Sequence, residues 1–258
     1  MKKQLALWVI ILLTGYQAQS QVLISLLFGD KLNSPNVEFG LEGGVNFSGL
    51  EGIPSNYMSN FDLGFYFDIN INKEPIWKFY TGVIVKSTMG SKDIAVYSLD
   101  NTELDELFEG GSVQRKINYF NVPLVIKRQI HGGFYGGLGV MLGLRSKAYD
   151  YFLQDIEAKD DLTYKLSIKD NIAHLDAGLL AGLSYDLGNK PKGLSLHIKY
   201  YYGLVNINNN NAEPKQYNRS VYLGLGIPIG GVSKKGDKKP EEKKESKKEK
   251  KESKKDDK

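Results

Sequence analysis

Apolar and polar side chains alternate through the middle of this chain with a period of two, not the 3.6 of an amphipathic helix. Phe61, Leu63, Phe65, Phe67, Ile69 and Ile71 alternate with Asp62, Gly64, Tyr66, Asp68 and Asn70. Phe134, Gly136, Leu138, Val140, Leu142 and Leu144 alternate with Tyr135, Gly137, Gly139, Met141, Gly143 and Arg145. A third run, Ala173 to Leu183, sets Leu175, Ala177, Leu179 and Ala181 against His174, Asp176, Gly178, Leu180 and Gly182. The same pattern near 37–47, 77–88, 117–128, 194–204 and 217–229 brings the predicted strands to eight, several of them 10–12 residues long. Strands of soluble proteins run about 5–6 residues, whereas those that cross a bilayer run about 9–11.

The connections alternate as well. Asn72–Pro75, Gln129–Gly133 and Gly188–Gly193 are short, while 48–60, 89–113, 149–168 and 206–216 are long. Short turns at one end and long loops at the other describe an all-β, antiparallel, up-and-down transmembrane barrel, its short turns periplasmic. With an even strand count, both termini fall on the periplasmic side. In that frame the apolar class looks at lipid. Its aromatics Trp77, Phe79, Phe134, Tyr185, Tyr200 and Tyr202 sit towards strand ends, where a membrane girdle belongs. The opposite class would fill the lumen. Its acids are Glu38, Glu42, Asp62, Asp68, Asp176 and Asp186, its bases Lys78, Lys86, Lys127, Arg145, Lys147 and Lys199, with His174 and His197 among them. Eight strands enclose only room for side chains, so an open pore is not expected. A soluble, lipocalin-like ligand binder would carry the same alternation with the apolar face turned inward. Strand length, the glycine-rich polar face and the loop asymmetry favour the membrane.

The ends of the 258-residue chain are different material. Met1-Lys2-Lys3, an apolar run from Leu5 to Leu13 and Ala18-Gln19-Ser20 form the pattern of a signal peptide, residues 1–20, cut before Gln21. That run is too short to span a bilayer as a helix, which takes about 20 residues. Residues 21–36 lead in to the barrel at 37–230, and their apolar stretch fits either the periplasmic rim or the lumen. The net charge of +4 comes from the ends: residues 234–258 hold 13 Lys against 8 acids, while residues 21–233 hold 19 basic and 22 acidic side chains. A basic nucleic-acid binder is thereby excluded for the folded part. The stretch 231–258 reads as a disordered periplasmic tail, because it has almost nothing apolar to bury. Its Lys243, Lys244, Lys247, Lys248, Lys250, Lys251, Lys254 and Lys255 fall in two copies of Lys-Lys-Glu-Ser-Lys-Lys-Glu/Asp. Such a segment suits a tether to peptidoglycan or anionic lipid. Zero cysteines rule out disulfides, thiolate zinc sites, a cysteine nucleophile and a lipoprotein anchor.

Three stretches carry a family resemblance. Tyr119-Phe-Asn-Val-Pro-Leu-Val-Ile-Lys127, Gly132-Gly-Phe-Tyr-Gly-Gly-Leu-Gly139 and Tyr217-Asn-Arg-Ser-Val-Tyr-Leu-Gly-Leu-Gly226 resemble the PorT-like "porin family" of outer-membrane β-barrel proteins. The resemblance covers roughly residues 22–230. It implies a small eight-stranded barrel without a shared enzymatic site, and the porin label does not imply conduction. One departure is that strand eight closes on Ile227-Pro228-Ile229-Gly230 and not on a terminal aromatic.

Little else points to chemistry. Ser195, His197, His174 and Asp176 hold the residue types of a hydrolytic triad on two adjacent strands. A hairpin folded near 190 would pair Ser195 with Tyr185 and His174 with 206. At about 3.3 Å per residue, Ser195 and His174 then stand roughly 35 Å apart. Asp155, Glu157, Asp160 and Asp161 lack the spacing of a calcium loop. In loop 89–113, Thr102-Glu-Leu-Asp105 starts a short helix with Leu104, Leu107 and Phe108 on one face, and Gly110-Gly111 stops it. That face serves as a lid or as a protein-partner patch. Asn208–Asn211 reads as a flexible loop tip. The expectation is a non-enzymatic envelope protein with no metal or cofactor, its loops and tail making contacts. Narrow transport of a small solute or ion stands as the alternative.

Overall fold

In the computed structural model, which describes residues 32, 34–71, 76–155, 162–187, 193–210 and 214–229, the alternating runs pair into ladders. The strands are β1 (Val37–Glu51), β2 (Met58–Asn70), β3 (Trp77–Ala95), β4 (Ser112–His131), β5 (Phe134–Gln154), β6 (Leu162–Ser167), β7 (Leu175–Leu187), β8 (Leu194–Gly203) and β9 (Tyr217–Pro228). Each pairs antiparallel with its neighbour, and β1 pairs with β9 from Gly40↔Pro228 to Glu51↔Tyr217, which closes the ring. Strand six of the barrel is split. β5 pairs with β7 over Phe134–Leu144 and with the short β6 over Tyr149–Gln154, so β6 continues the wall above β7 without joining the closed belt. The expected signal peptide and tail, and most of the lead-in, lie outside the described residues.

The apolar face points outward. Phe61, Leu138 and Leu183 are 49 %, 65 % and 55 % exposed, whereas Asp62, Tyr66, Asp68 and Asp176 are buried inside. A soluble barrel would have the two faces reversed, so the lipocalin-like alternative falls. On β5 the outward apolar run goes from Phe134 to Leu144. At about 3.3 Å per residue and a tilt near 45° it rises roughly 23 Å, close to the ~25 Å apolar band of an outer-membrane barrel. Glycines on the inner face make room for large neighbours. A β-carbon at Gly224 would overlap the His197 ring, and one at Gly226 the Ser195 hydroxyl.

Three strands run longer than the sequence pattern indicates: β3, β4 and β5 have 19, 20 and 21 residues. Much of the expected loops 89–113 and 149–168 is therefore strand. Val113, Arg115 and Ile117 on β4, with Ala148, Asp150 and Phe152 on β5, continue the inward series beyond the apolar belt. Their outward neighbours are polar and bulges interrupt the period, so the apolar signal stops before the strand does.

Two bulges also correct two lumen assignments. Leu63 pairs with Lys86 and Gly64 with Ile84, leaving Val85 as an extra residue. Lys86 thereby shares the outer face with Leu63. Asn118 pairs with Lys147 and Tyr119 with Arg145, leaving Ser146 extra, and Lys147 turns out with Asn118. One inserted residue shifts the phase by one, and the period of two converts that into a change of face. His174 is a third correction. The chain bends there, before pairing with β5 begins at Leu144↔Leu175, and the side chain is exposed.

A short helix, α1 (Thr102–Leu107), lies between β3 and β4. Its cap is Asn101, one residue before the expected Thr102, and the Asn101 carboxamide accepts from the amides of Glu103 and Leu104. Phe108 is buried against Phe152, Ile94 and Val113, whereas Leu107 is 53 % exposed. Phe108, just past the helix, and the partly buried Leu104 anchor it on the strand extensions, while Leu107 leaves the expected face for the exterior. The Asp105 carboxylate accepts from the Leu99 amide at 2.7 Å and the Ser98 hydroxyl at 2.6 Å. The Leu99 amide, and then Ser98, hold its pKa below the usual carboxylate value of 3.8. A carboxyl with a depressed folded pKa stabilises the turn above its unfolded pKa and loses that contribution as pH falls through the folded one. Protection of the Leu99 amide from hydrogen exchange, corrected for its intrinsic rate, is expected to hold above about pH 4 and to fall below it. In Asp105→Ala it should be low at every pH.

Candidate functional site

The lumen is a column of paired polar groups. Near the short-turn end the Lys78 ammonium lies 3.1 Å from Asp186, and the Tyr66 hydroxyl donates to Glu38 at 2.9 Å. Lys127 pairs with Asp68 at 2.5 Å. Further in, Glu42 accepts from Lys199 at 3.0 Å and from the Tyr80 hydroxyl, with the His197 imidazole 3.9 Å away. Above these, Asn46 donates to Asp62 at 2.9 Å, and Asn218 donates to Asp176 at 2.8 Å and to the Tyr119 hydroxyl at 3.2 Å. Arg145 donates to the Ala173 carbonyl. The cavity between Glu42, Asp68, Tyr80, Lys127, His197 and Lys199 has room for about 40 Å³. A water needs roughly 10–15 Å³ of such space, so there is room for a few waters and too little for a larger solute.

Alternation places these residues on one face, and the tilt of closely paired strands brings their tips together. With Lys86 and Lys147 outside, the charge set differs from the sequence expectation in its upper part. There the structure adds a cluster that the sequence reading missed. The Arg115 guanidinium forms a two-pronged bond to Asp150, at 2.9 and 2.7 Å, and donates to the Gln216 carboxamide at 2.8 Å. Tyr97 donates to the same Asp150 at 2.8 Å, and Asp150 is wholly buried. A cleft of about 310 Å³ opens above this cluster, lined by Tyr97, Arg115, Asn171, Ile172, Asn208 and Gln216. Asn208 is buried, not a loose loop tip: it bridges to Ile172 and donates to the Pro214 carbonyl. The inward alternation of β4 and β5 was the available signal for this cluster, since Arg115 and Asp150 sit in step with Ile117 and Ala148.

The other candidates are dispersed. Ser195 pairs with Asp186 near the short-turn end, one position from the expected Tyr185, while His174 sits beyond Leu175 at the opposite end of β7. The structure does not bring the triad residues together. Of the acidic loop residues, Asp155 is described, and Glu157, Asp160 and Asp161 lie outside the described residues. The aromatics expected as a girdle face outward at two levels. Trp77, Phe79, Phe134 and Tyr185 lie by the short turns, with Phe134 and Tyr185 ring centroids 4.4 Å apart. Tyr200 and Tyr202 lie near the other end, where the Arg219 guanidinium sits 3.6 Å over the Tyr202 ring and pairs with Glu51 at 2.5 Å.

No curated protein matches the chain significantly. Among solved structures it is similar to Ail, the attachment invasion locus protein of Yersinia pestis, determined with the heparin analogue sucrose octasulfate. The identity is 13 %, coverage 75 % of this chain and 99 % of that one, and the TM-score 0.38. Neisserial surface protein A is 15 % identical over 75 % of this chain and 97 % of its own, with a TM-score of 0.38. The outer membrane protein OprG from Pseudomonas aeruginosa is 14 % identical over 77 % and 100 %, with a TM-score of 0.39. The family described as outer membrane protein beta-barrel domain matches residues 17–209, the greater part of the chain. With its apolar belt outward and its charges inward, this chain belongs to that family and is an outer-membrane β-barrel protein.

Proposed function

We propose that the protein is a non-enzymatic interaction protein of the cell envelope, of the PorT-like kind that its sequence resembles. The short turns and both chain termini face the periplasm, and the long extensions of β3, β4 and β5 project outward for contacts. The Lys-rich stretch 231–258 engages peptidoglycan or anionic lipid by charge. The observation that carries this reading is the filled lumen: Glu42, Lys199, Tyr80, Lys127 and Asp68 occupy the middle of the barrel with one another, leaving room for only about 40 Å³. A wall whose interior is spent on its own ion pairs acts through its surfaces. The test uses the full chain and a chain lacking residues 234–258, each mixed with purified peptidoglycan sacculi and with anionic vesicles. Binding by the full chain at low salt, lost on deletion and on adding salt, is the expected result. Equal binding by both chains would overturn the tether. Single-channel steps in a planar bilayer that change on Lys127→Gln would overturn the closed-lumen reading in favour of transport.

A further inference from the structure

The outer wall carries a basic groove directly above the apolar belt. Its volume is about 400 Å³, and Lys86, Lys116, Lys147 and Lys165 line it together with Tyr149 and Tyr151. Two of these lysines are there because of the bulges at Val85 and Ser146, which turn Lys86 and Lys147 from the inner face to the outer one at matching heights on β3 and β5. Bulges commonly re-aim a side chain where a site needs it. Among the described residues none of the four ammonium groups is within ion-pair distance of a carboxylate. Instead three of them rest on rings. The Lys165 ammonium is 3.8 Å from the centre of Tyr149, Lys116 is 5.1 Å from Tyr151 and Lys86 is 5.3 Å from Phe61. Four like charges share one concavity, and an anion between them removes their mutual repulsion.

The place decides the kind of anion. Immediately towards the short turns, the outward positions are Val83, Phe120, Leu142 and Leu144, all exposed. The groove is therefore continuous with the lipid-facing surface, at the height where hydrocarbon gives way to headgroups. A ligand fitted to both has acyl chains for the belt and phosphate for the lysines. Tyr149 and Tyr151 add flat faces against which sugar rings pack. Basic pockets on a membrane protein at headgroup level hold anionic lipid in this way.

We propose that the groove of Lys86, Lys116, Lys147 and Lys165 binds the phosphorylated sugar headgroup of an outer-leaflet glycolipid of the lipid A type. The assignment rests on the long-loop end facing outward, as in the function proposed above, but not on the tail or on the lumen. The test takes the full chain in detergent and measures retained lipid by native mass spectrometry, with diphosphoryl lipid A, monophosphoryl lipid A, phosphatidylglycerol and inorganic phosphate as separate probes. Diphosphoryl lipid A should be held most tightly. Each lysine removed should weaken it roughly fivefold, so Lys116→Gln with Lys147→Gln loses about 25-fold, while the paired Lys→Arg substitutions retain binding. A heat-dependent gel shift establishes that each variant is folded, and Lys86→Gln with Lys165→Gln replaces the first pair if that pair fails to fold. Unchanged retention in the folded Gln variants, or equal retention of phosphatidylglycerol, would overturn the proposal. The chain lacking residues 234–258 should bind lipid A as the full chain does, which separates failure of this site from failure of the tether.

Discussion

Asp150→Ala is expected to cost about 3–5 kcal/mol of barrel stability, because it removes the carboxylate paired with a buried cation. Asp150 accepts both prongs of Arg115 and the Tyr97 hydroxyl, with its own side chain fully shielded from water. Removing it takes the carboxylate from both prongs of Arg115, which is 8 % exposed and still donates to the Gln216 carboxamide. Deleting one member of a buried pair costs far more than the net value of the pair, since the survivor keeps its desolvation and loses the compensation. The joint replacement Arg115→Met with Asp150→Leu should recover most of the loss. Urea unfolding of the barrel in lipid vesicles, followed by tryptophan fluorescence, measures both. A loss below about 1 kcal/mol for Asp150→Ala would mean that water reaches Arg115 from the cleft above it.

Val140→Arg should cost about 2–4 kcal/mol in the same assay. Val140 lies on the outer face of β5, midway along the run from Phe134 to Leu144, and is 40 % exposed. In the bilayer that exposure is exposure to hydrocarbon, where a guanidinium has no partner and must reach towards a headgroup. The same substitution nearer a rim should cost only about 0–1 kcal/mol. Equal cost at the two depths would place the belt in a medium other than lipid. This experiment tests the orientation of the two faces, which every other reading of the barrel depends on.

How far the sequence could be read follows from the period itself. Wherever the outer face is purely apolar, from Phe61 to Ile71 or from Phe134 to Leu144, alternation indicates both strand and facing, and the lumen partners Asp62, Asp68 and Arg145 fall out of it. Above the belt the outer face becomes Lys116, Asn118, Lys147 and Tyr149, and the contrast between faces disappears although the ladder continues. Nothing in Val85-Lys86-Ser87 or Arg145-Ser146-Lys147 marks an inserted residue, because a bulge is a property of the pair and not of one strand. Period-two alternation therefore puts Lys86 and Lys147 inside, whereas the bulges turn both outward. Arg115 and Asp150 were hidden for a related reason: 35 residues separate them, and only the β4–β5 register makes them neighbours. His174 shows the limit at a bend, where an in-phase position ends up outside because the strand has not yet begun.

The ring is sealed by its first and last strands, Val45 lying opposite Leu223 from the far end of the barrel sequence. During synthesis β1 is among the first strands made, and its edge stays without its second partner until β9 exists. No sequence of hairpins added one by one gives an intermediate free of open edges, and an open edge in hydrocarbon leaves backbone groups unpaired. Among the described residues closure is thus the most distant strand pairing and the one on which membrane residence depends, a combination that makes folding slow. A ribosome releasing this chain delivers nothing insertable until Pro228 has emerged, so the unfinished polypeptide has to be escorted, with its strands kept apart from other chains, for the whole of its synthesis and transit.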